Sequence, residues 1–299
     1  MWFAFSLLTI VFWAGSDFFS KKGTRQDDKY SHLRLLIIVG TVMTVHAIVF
    51  ILVTGLDYKP SSMLIYFPVS FMYILSMTLG YAGLRYIELS VSSPICNSSG
   101  AVSCILCAVF LHQSMETLQL VGVIMICIGI FLLSLLEKRQ ADKEKAGTLV
   151  KSERKYRVGA IAIIFPILYC LIDGLGTFAD AYYLEYVMNE EMANVSYELT
   201  FGVCALLVFV YLRFVKKEKF SYFREKTFCA GALCETAGQF AYIYAMGGKA
   251  IVAAPMIASY SIFSVLLARV FLREKLTKAQ YGVIFLVMAG IAILGIFDV

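Results

Sequence analysis

Ten long apolar stretches follow one another along the chain, set apart by short clusters of charge: 2–20, 33–55, 63–84, 91–111, 117–136, 158–187, 194–214, 227–247, 250–272 and 279–297. A helix rises 1.5 Å per residue, so about 20 apolar residues cross the roughly 30 Å hydrocarbon layer of a bilayer. Ten such spans would use about 200 residues of the 299, which leaves no stretch to fold a soluble domain. The composition agrees, with 60% of residues hydrophobic and only 16% charged. A soluble enzyme on a single anchor, a disordered chain and a fibrous chain are excluded. Strands of a membrane barrel alternate polarity over about ten residues. These stretches are apolar throughout, so the pattern predicts helices.

The net charge of +5 is no signal for nucleic acid, because in such a chain the position of the charges carries the information. The first stretch lacks the positive residues that precede a cleaved signal; Lys21 and Lys22 follow it instead. It is expected to remain in the mature protein. Of the 26 Lys and Arg residues, only Lys59 and Lys249 fall on the even-loop side, and the other 24 lie on the side of loops 1–2, 3–4, 5–6, 7–8 and 9–10. The positive-inside rule then places the odd-numbered loops in the cytoplasm and both termini outside a cytoplasmic membrane. The eight cysteines all lie within apolar stretches, where they read as small buried hydrophobes rather than as a disulfide framework.

Dividing the chain at the charged linker 137–157 leaves five spans in 1–136 and five in 158–299. An odd number of spans per half requires the halves to insert in opposite orientations. The two halves also share residues. Tyr81-Ala82-Gly83-Leu84, Val91-Ser92-Ser93-Pro94 and Phe110-Leu111 align with Tyr242-Ile243-Tyr244-Ala245, Val252-Ala253-Ala254-Pro255 and Phe271-Leu272. Gly122-Val123-Ile124 and Gly129-Ile130 align with Gly282-Val283-Ile284 and Gly290-Ile291.

The run Tyr81–Leu84, then Ser90–Pro94, then Glu116 ahead of Gln119, Gly122 and Gly129, resembles the EamA-type signature of the drug/metabolite transporter superfamily. The second half repeats it with Arg273-Glu274-Lys275-Leu276, Gln280 and Gly282. The resemblance covers essentially the whole chain. It implies an all-α membrane protein of ten transmembrane helices, in two inverted five-helix repeats around a central cavity. Helices 1, 3, 4, 6, 8 and 9 would line that cavity, with helices 5 and 10 peripheral. Members of the family move amino acids, nucleotide sugars, choline and other solutes.

An ionisable residue at membrane depth is costly unless paired or hydrated, and by default it marks a site. Tyr169, Asp173, Thr177 and Asp180 are spaced to share one face of the sixth span. Ser6, Trp13, Asp17 and Ser20 share one in the first span, Tyr66, Ser70, Tyr73 and Met77 in the third, and Glu235, Gln239 and Tyr242 in the eighth. Asn97 follows Pro94, which would free a backbone carbonyl for an ion or solute. The substrate-binding candidates are therefore Trp13, Asp17, Tyr73, Tyr81, Asn97, Tyr169, Asp173, Glu235, Gln239 and Tyr242. Asp173, Glu235 and His46 are the candidates for carrying a coupling proton. Each has a plain alternative: Asp17 as an interfacial carboxylate beside Lys21 and Lys22, His46 as a core histidine, and the tyrosines as core or belt residues.

Deep carboxylates and aromatics without deep Lys or Arg suit a cation, whereas phosphates and nucleotide sugars want Arg or Lys. The expected function is a secondary transporter that moves a small organic cation or zwitterion, such as a choline-like amine or an amino acid, by alternating access and with proton coupling. An exporter of drugs or other metabolites is the alternative. An intramembrane enzyme is remote, because Asp173-Gly174-Leu175-Gly176 is not the Gly-x-Gly-Asp of membrane aspartyl proteases. A non-transporting sensor or scaffold is a third reading. No catalytic residues, metal ligands or cofactors are expected, and the partners are a small-molecule substrate and the bilayer, not nucleic acid. Gly122 and Gly129 with Gly282 and Gly290 would suit close helix approach, and with it a homodimer through helices 5 and 10.

Overall fold

The computed structural model of the chain describes residues 1–23, 30–83, 96, 98–147, 164–218, 225–271 and 276–296. Every element among them is helical: α1 (Trp2–Gly23), α2 (Ser31–Thr54), α3 (Pro60–Gly83), α4 (Ser99–Phe110), α5 (Thr117–Gly147), α6 (Ile164–Tyr186), α7 (Glu190–Val210), α8 (Lys226–Ala258), α9 (Tyr260–Phe271) and α10 (Lys278–Gly295). A π-helical turn, Tyr211–Val215, extends α7.

The expectation of ten helices is met in part. Only a turn at Ser259 separates α8 from α9, and Lys226–Leu267 forms a single apolar run. Counted that way, the described helices number nine. Among the described residues, six stretches are long and apolar enough to cross a bilayer: Trp2–Ser20, Leu33–Thr54, Thr117–Leu136, Glu190–Val215, Lys226–Leu267 and Lys278–Gly295. The sixth helix is outside that set, and it carries Asp173, Asp180 and Glu185. The fifth runs on to Gly147, well into the stretch that reads as the 137–157 linker. Residues 137–146 are rich in Glu, Lys, Arg, Gln and Ala, which are strong helix formers.

Helix ends follow local chemistry. Gly55, at φ 67°, closes α2 in the left-handed conformation. The Asn189 side chain accepts the Met192 amide at the start of α7, and Thr277 and Gln280 form a capping box on α10. Inside the helices, Thr9, Thr41, Thr44, Thr200 and Thr236 donate their hydroxyls to the carbonyl one turn earlier. That satisfies the hydroxyl where water is scarce. All eight cysteines are free thiols.

The chain divides into two compact units. Unit 1 comprises Met1–Ser70, Tyr182–Gly248 and Phe263–Glu274; unit 2 comprises Phe71–Ala181, Lys249–Ile262 and Lys275–Val299. Each unit thus draws on both halves of the sequence. In unit 1, α2 packs on α7 through small residues from each side. Gly40 faces Ala205 and the Phe201 carbonyl, and Gly202 faces Thr44. In unit 2, α5 packs on α10. Gly122 abuts Gly290 and Leu294, and Gly129 abuts Val287. Three of the four glycines that suggest a dimer face are therefore engaged within the chain, while Gly282 has open space around it.

Pro68 lies inside α3, and α8 loses helical geometry at Lys249, directly after Gly247 and Gly248. In unit 2 the break is repaired by side chains. The Ile251 amide donates to Gln113 Oε1 (3.1 Å), and Lys249 Nζ donates to Gln119 Oε1 (2.9 Å). A backbone group released from its helix is thereby re-paired, as a membrane interior demands.

Candidate functional site

In unit 1 the site begins with a close crossing of α1 and α8. Gly15 lies under the Cys234 side chain, Gly231 faces the Ser16 carbonyl and Ser20, and the Trp13 indole lies across Gly238. Without side chains at these glycines, the two helices approach closely enough for polar groups to meet. The Ser16 hydroxyl donates to the Glu235 carboxylate, and Asp17 lies near enough for its charge to act on Glu235. Ser264 on α9 donates to Asp17 Oδ2 at 3.1 Å. Two turns along α8 from Glu235, the Tyr242 ring stacks on Trp13 at 5.1 Å between centroids, with the planes 27° apart. Gln239, buried on the same face of α8, completes the row. Trp13, Asp17, Glu235, Gln239 and Tyr242 lie together at this crossing.

In unit 2 a second carboxylate is built the same way. Gly174 of α6 lies against Val102 and the Ser99 carbonyl of α4, and Gly176 lies against Met72 and Tyr73 of α3. Asp173 sits between these contacts. Its Oδ1 accepts from Ser76 at 3.0 Å, and its carboxylate also accepts from Ser99. One turn on, the Tyr73 hydroxyl donates to Thr177 Oγ1 at 3.3 Å. Tyr169, one turn before Asp173 on α6, is half-buried. A cavity of about 30 Å³, lined by Cys127, Ile130 and Pro255 among others, has room for roughly one water.

His46 is not a lone core histidine. Its Nδ1 lies 2.9 and 2.8 Å from the two carboxylate oxygens of Glu198 on α7. Glu198 is fully buried, while the His46 side chain stays about a third exposed. The Phe240 ring meets the imidazole edge-on at 5.5 Å. Glu198 is the residue that the sequence pattern misses. It stands eight residues into α7, where a carboxylate ordinarily belongs to the interface. Its visible signal is the Asn194-to-Glu198 spacing of one helical turn within an apolar run.

The serine partners Ser16, Ser76, Ser99 and Ser264 also go unflagged by periodicity. Tyr81 lies in α3, but its side chain is outside the described residues, as is Asn97. What the described residues offer chemically is carboxylates held by hydroxyl donors, with an aromatic pair beside one of them.

The family model of the EamA-like transporter family matches residues 1–135 and again residues 160–296. A search of curated proteins finds no match. A solved protein described only as "Crystal structure of protein" is similar in fold, with a TM-score of 0.71 and 12% sequence identity, over 99% of this chain and 96% of that one. At such an identity the likeness speaks for the fold alone. The two family matches together span most of the sequence, and the chain belongs to the EamA-like transporter family, as a multi-pass membrane protein of the drug/metabolite transporter type.

Proposed function

We propose that the protein is a secondary transporter of a small organic cation or zwitterion, with Trp13, Asp17, Glu235, Gln239 and Tyr242 as its substrate-binding face. The observation that carries this reading is the meeting of Asp17 and Glu235 beside the Trp13–Tyr242 stack. Two carboxylates in mutual range resist being ionised together, and either a proton or a bound cation relieves the repulsion. An aromatic face next to that charge suits an ammonium group, worth about 0.5–2 kcal/mol. Asp173, with Ser76 and Ser99 as donors, is proposed as a second polar station. In this reading 1–136 and 158–299 are inverted repeats, and the protein works in a cytoplasmic membrane with both termini outside.

The test is counterflow of radiolabelled choline into proteoliposomes. E235Q is expected to abolish exchange or its pH dependence. W13A is expected to weaken apparent affinity by about 0.5–2 kcal/mol, roughly 2- to 30-fold. Unchanged flux and unchanged pH dependence in E235Q would remove the carboxylate from the mechanism.

A further inference from the structure

We infer that His46 and Glu198 form a one-proton site within the membrane, separate from the substrate-binding carboxylates, that supplies the proton coupled to transport. The inference rests on the transporter reading above but assigns the proton to a different place. The pair joins α2 to α7, with both Glu198 oxygens within 2.9 Å of His46 Nδ1. It meets α8 at Phe240. Phe240 stands five residues beyond Glu235, about 140° around the helix, so the pair faces a different side of α8 from Glu235, Gln239 and Tyr242.

The choice of residues decides the chemistry. A fully buried carboxylate needs a partner. A purely structural pair would be served best by Arg, which holds its charge at every physiological pH and binds a carboxylate with two donors. Histidine can release its proton within that range. In the proton-poor state the neutral ring donates Nδ1–H to Glu198, and the pair carries one negative charge. A proton then binds Nε2, the nitrogen that Glu198 leaves free of its own contact. Nδ1–H stays on Glu198, no other bond changes, and the pair becomes neutral. The membrane interior favours the neutral form, so the same proton alters both the charge and the environment that the pair prefers.

The groups facing the pair from neighbouring elements are few. On α7, Asn194 lies against the carboxylate. In the loop after α2, the Tyr58 hydroxyl is 3.1 Å from Ser196 Oγ, and burial pushes that phenol above its ordinary pKa, so it stays protonated while histidine titrates. From α8 come Phe240 and, meeting it edge-on at 5.1 Å, Tyr244, which feels the charges of Glu190 and Glu191.

The chain has three histidines, which makes the site directly readable. His112 sits at φ 51°, a backbone that Asn accepts well. H32Q/H112N leaves His46 as the single imidazole and does not touch the pair. Isotope-edited infrared titration of this purified protein, with labelled histidine, is expected to show one imidazole step that moves together with a carboxylate band. In E198Q the two-band step should be lost. A histidine that titrates identically in E198Q, or no titration between pH 4 and 10, would overturn the assignment. These measurements need no substrate, so they stand even if choline is not carried.

The transport arm uses choline as its probe. E198Q should retain choline counterflow but lose pH-gradient-driven accumulation. Gradient-driven accumulation surviving in E198Q refutes the coupling role. Absence of any choline flux in the wild type refutes the substrate reading instead.

Discussion

At the scale of single residues, the buried pair has a stability consequence distinct from its proton chemistry. Removing one member of a buried ion pair typically costs about 3–5 kcal/mol, while replacing both by apolar groups is close to neutral. His46 is partly exposed, so the lower end of that range applies. H46L is expected to lower stability by about 3 kcal/mol, and H46L/E198L to recover most of the loss. Thermal unfolding of the three proteins in one detergent decides it, and a double variant no better than H46L contradicts the pairing. At this scale Asp17, Asp173 and Glu235 stood out in the sequence as ionisable residues deep in apolar runs, whereas Glu198, near the start of its helix, did not. Nor did Ser16, Ser76 and Ser264. A hydroxyl is common in membrane helices for bonding its own backbone, and nothing local distinguishes the few that reach another helix.

At the scale of elements, glycine positions separate helices that must touch from those that need not. A methyl at Gly202 would run into Thr44, whose own hydroxyl is bound to the Gly40 carbonyl at 2.6 Å. G202A is expected to cost about 1–3 kcal/mol by overpacking. Gly282 meets nothing within 4 Å, so G282A is expected to stabilise by up to about 1 kcal/mol through helix propensity. Melting temperatures check both, and equal shifts in the two variants would contradict the α2–α7 crossing. Among the described residues, six apolar runs long enough to cross a bilayer were readable from apolar length, and most of the described helix ends fall within a few residues of the charge clusters. Two features were not readable. Charged residues 137–147 mark the end of a span without ending its helix. The short gap between the eighth and ninth spans looks like a loop in composition but is a bend in a nearly continuous helical run.

At the scale of the whole molecule, the charge asymmetry makes a statement about topology that is independent of any site. Reporter tags at the two ends are expected on the same, outer face of the membrane. Tags on opposite faces would mean an odd number of crossings and would end the inverted-repeat proposal. The repeat was visible in sequence because matched Val, Pro and Gly residues recur. The compact units were not, because each is assembled from segments distant in the chain. Unit 1 alone joins residues as far apart as Asp17 and Ser264.

The interruption at Gly247–Lys249 bears on how α8 responds to load. A continuous helix transmits torque along its length, because every turn is tied to the next. Here the second stretch is anchored by Gln113 and Gln119 instead of by the first. Lys249, the residue that leaves helical geometry, is thus a joint in the shaft, between the stretch that carries Glu235, Gln239 and Tyr242 and the stretch that carries Pro255.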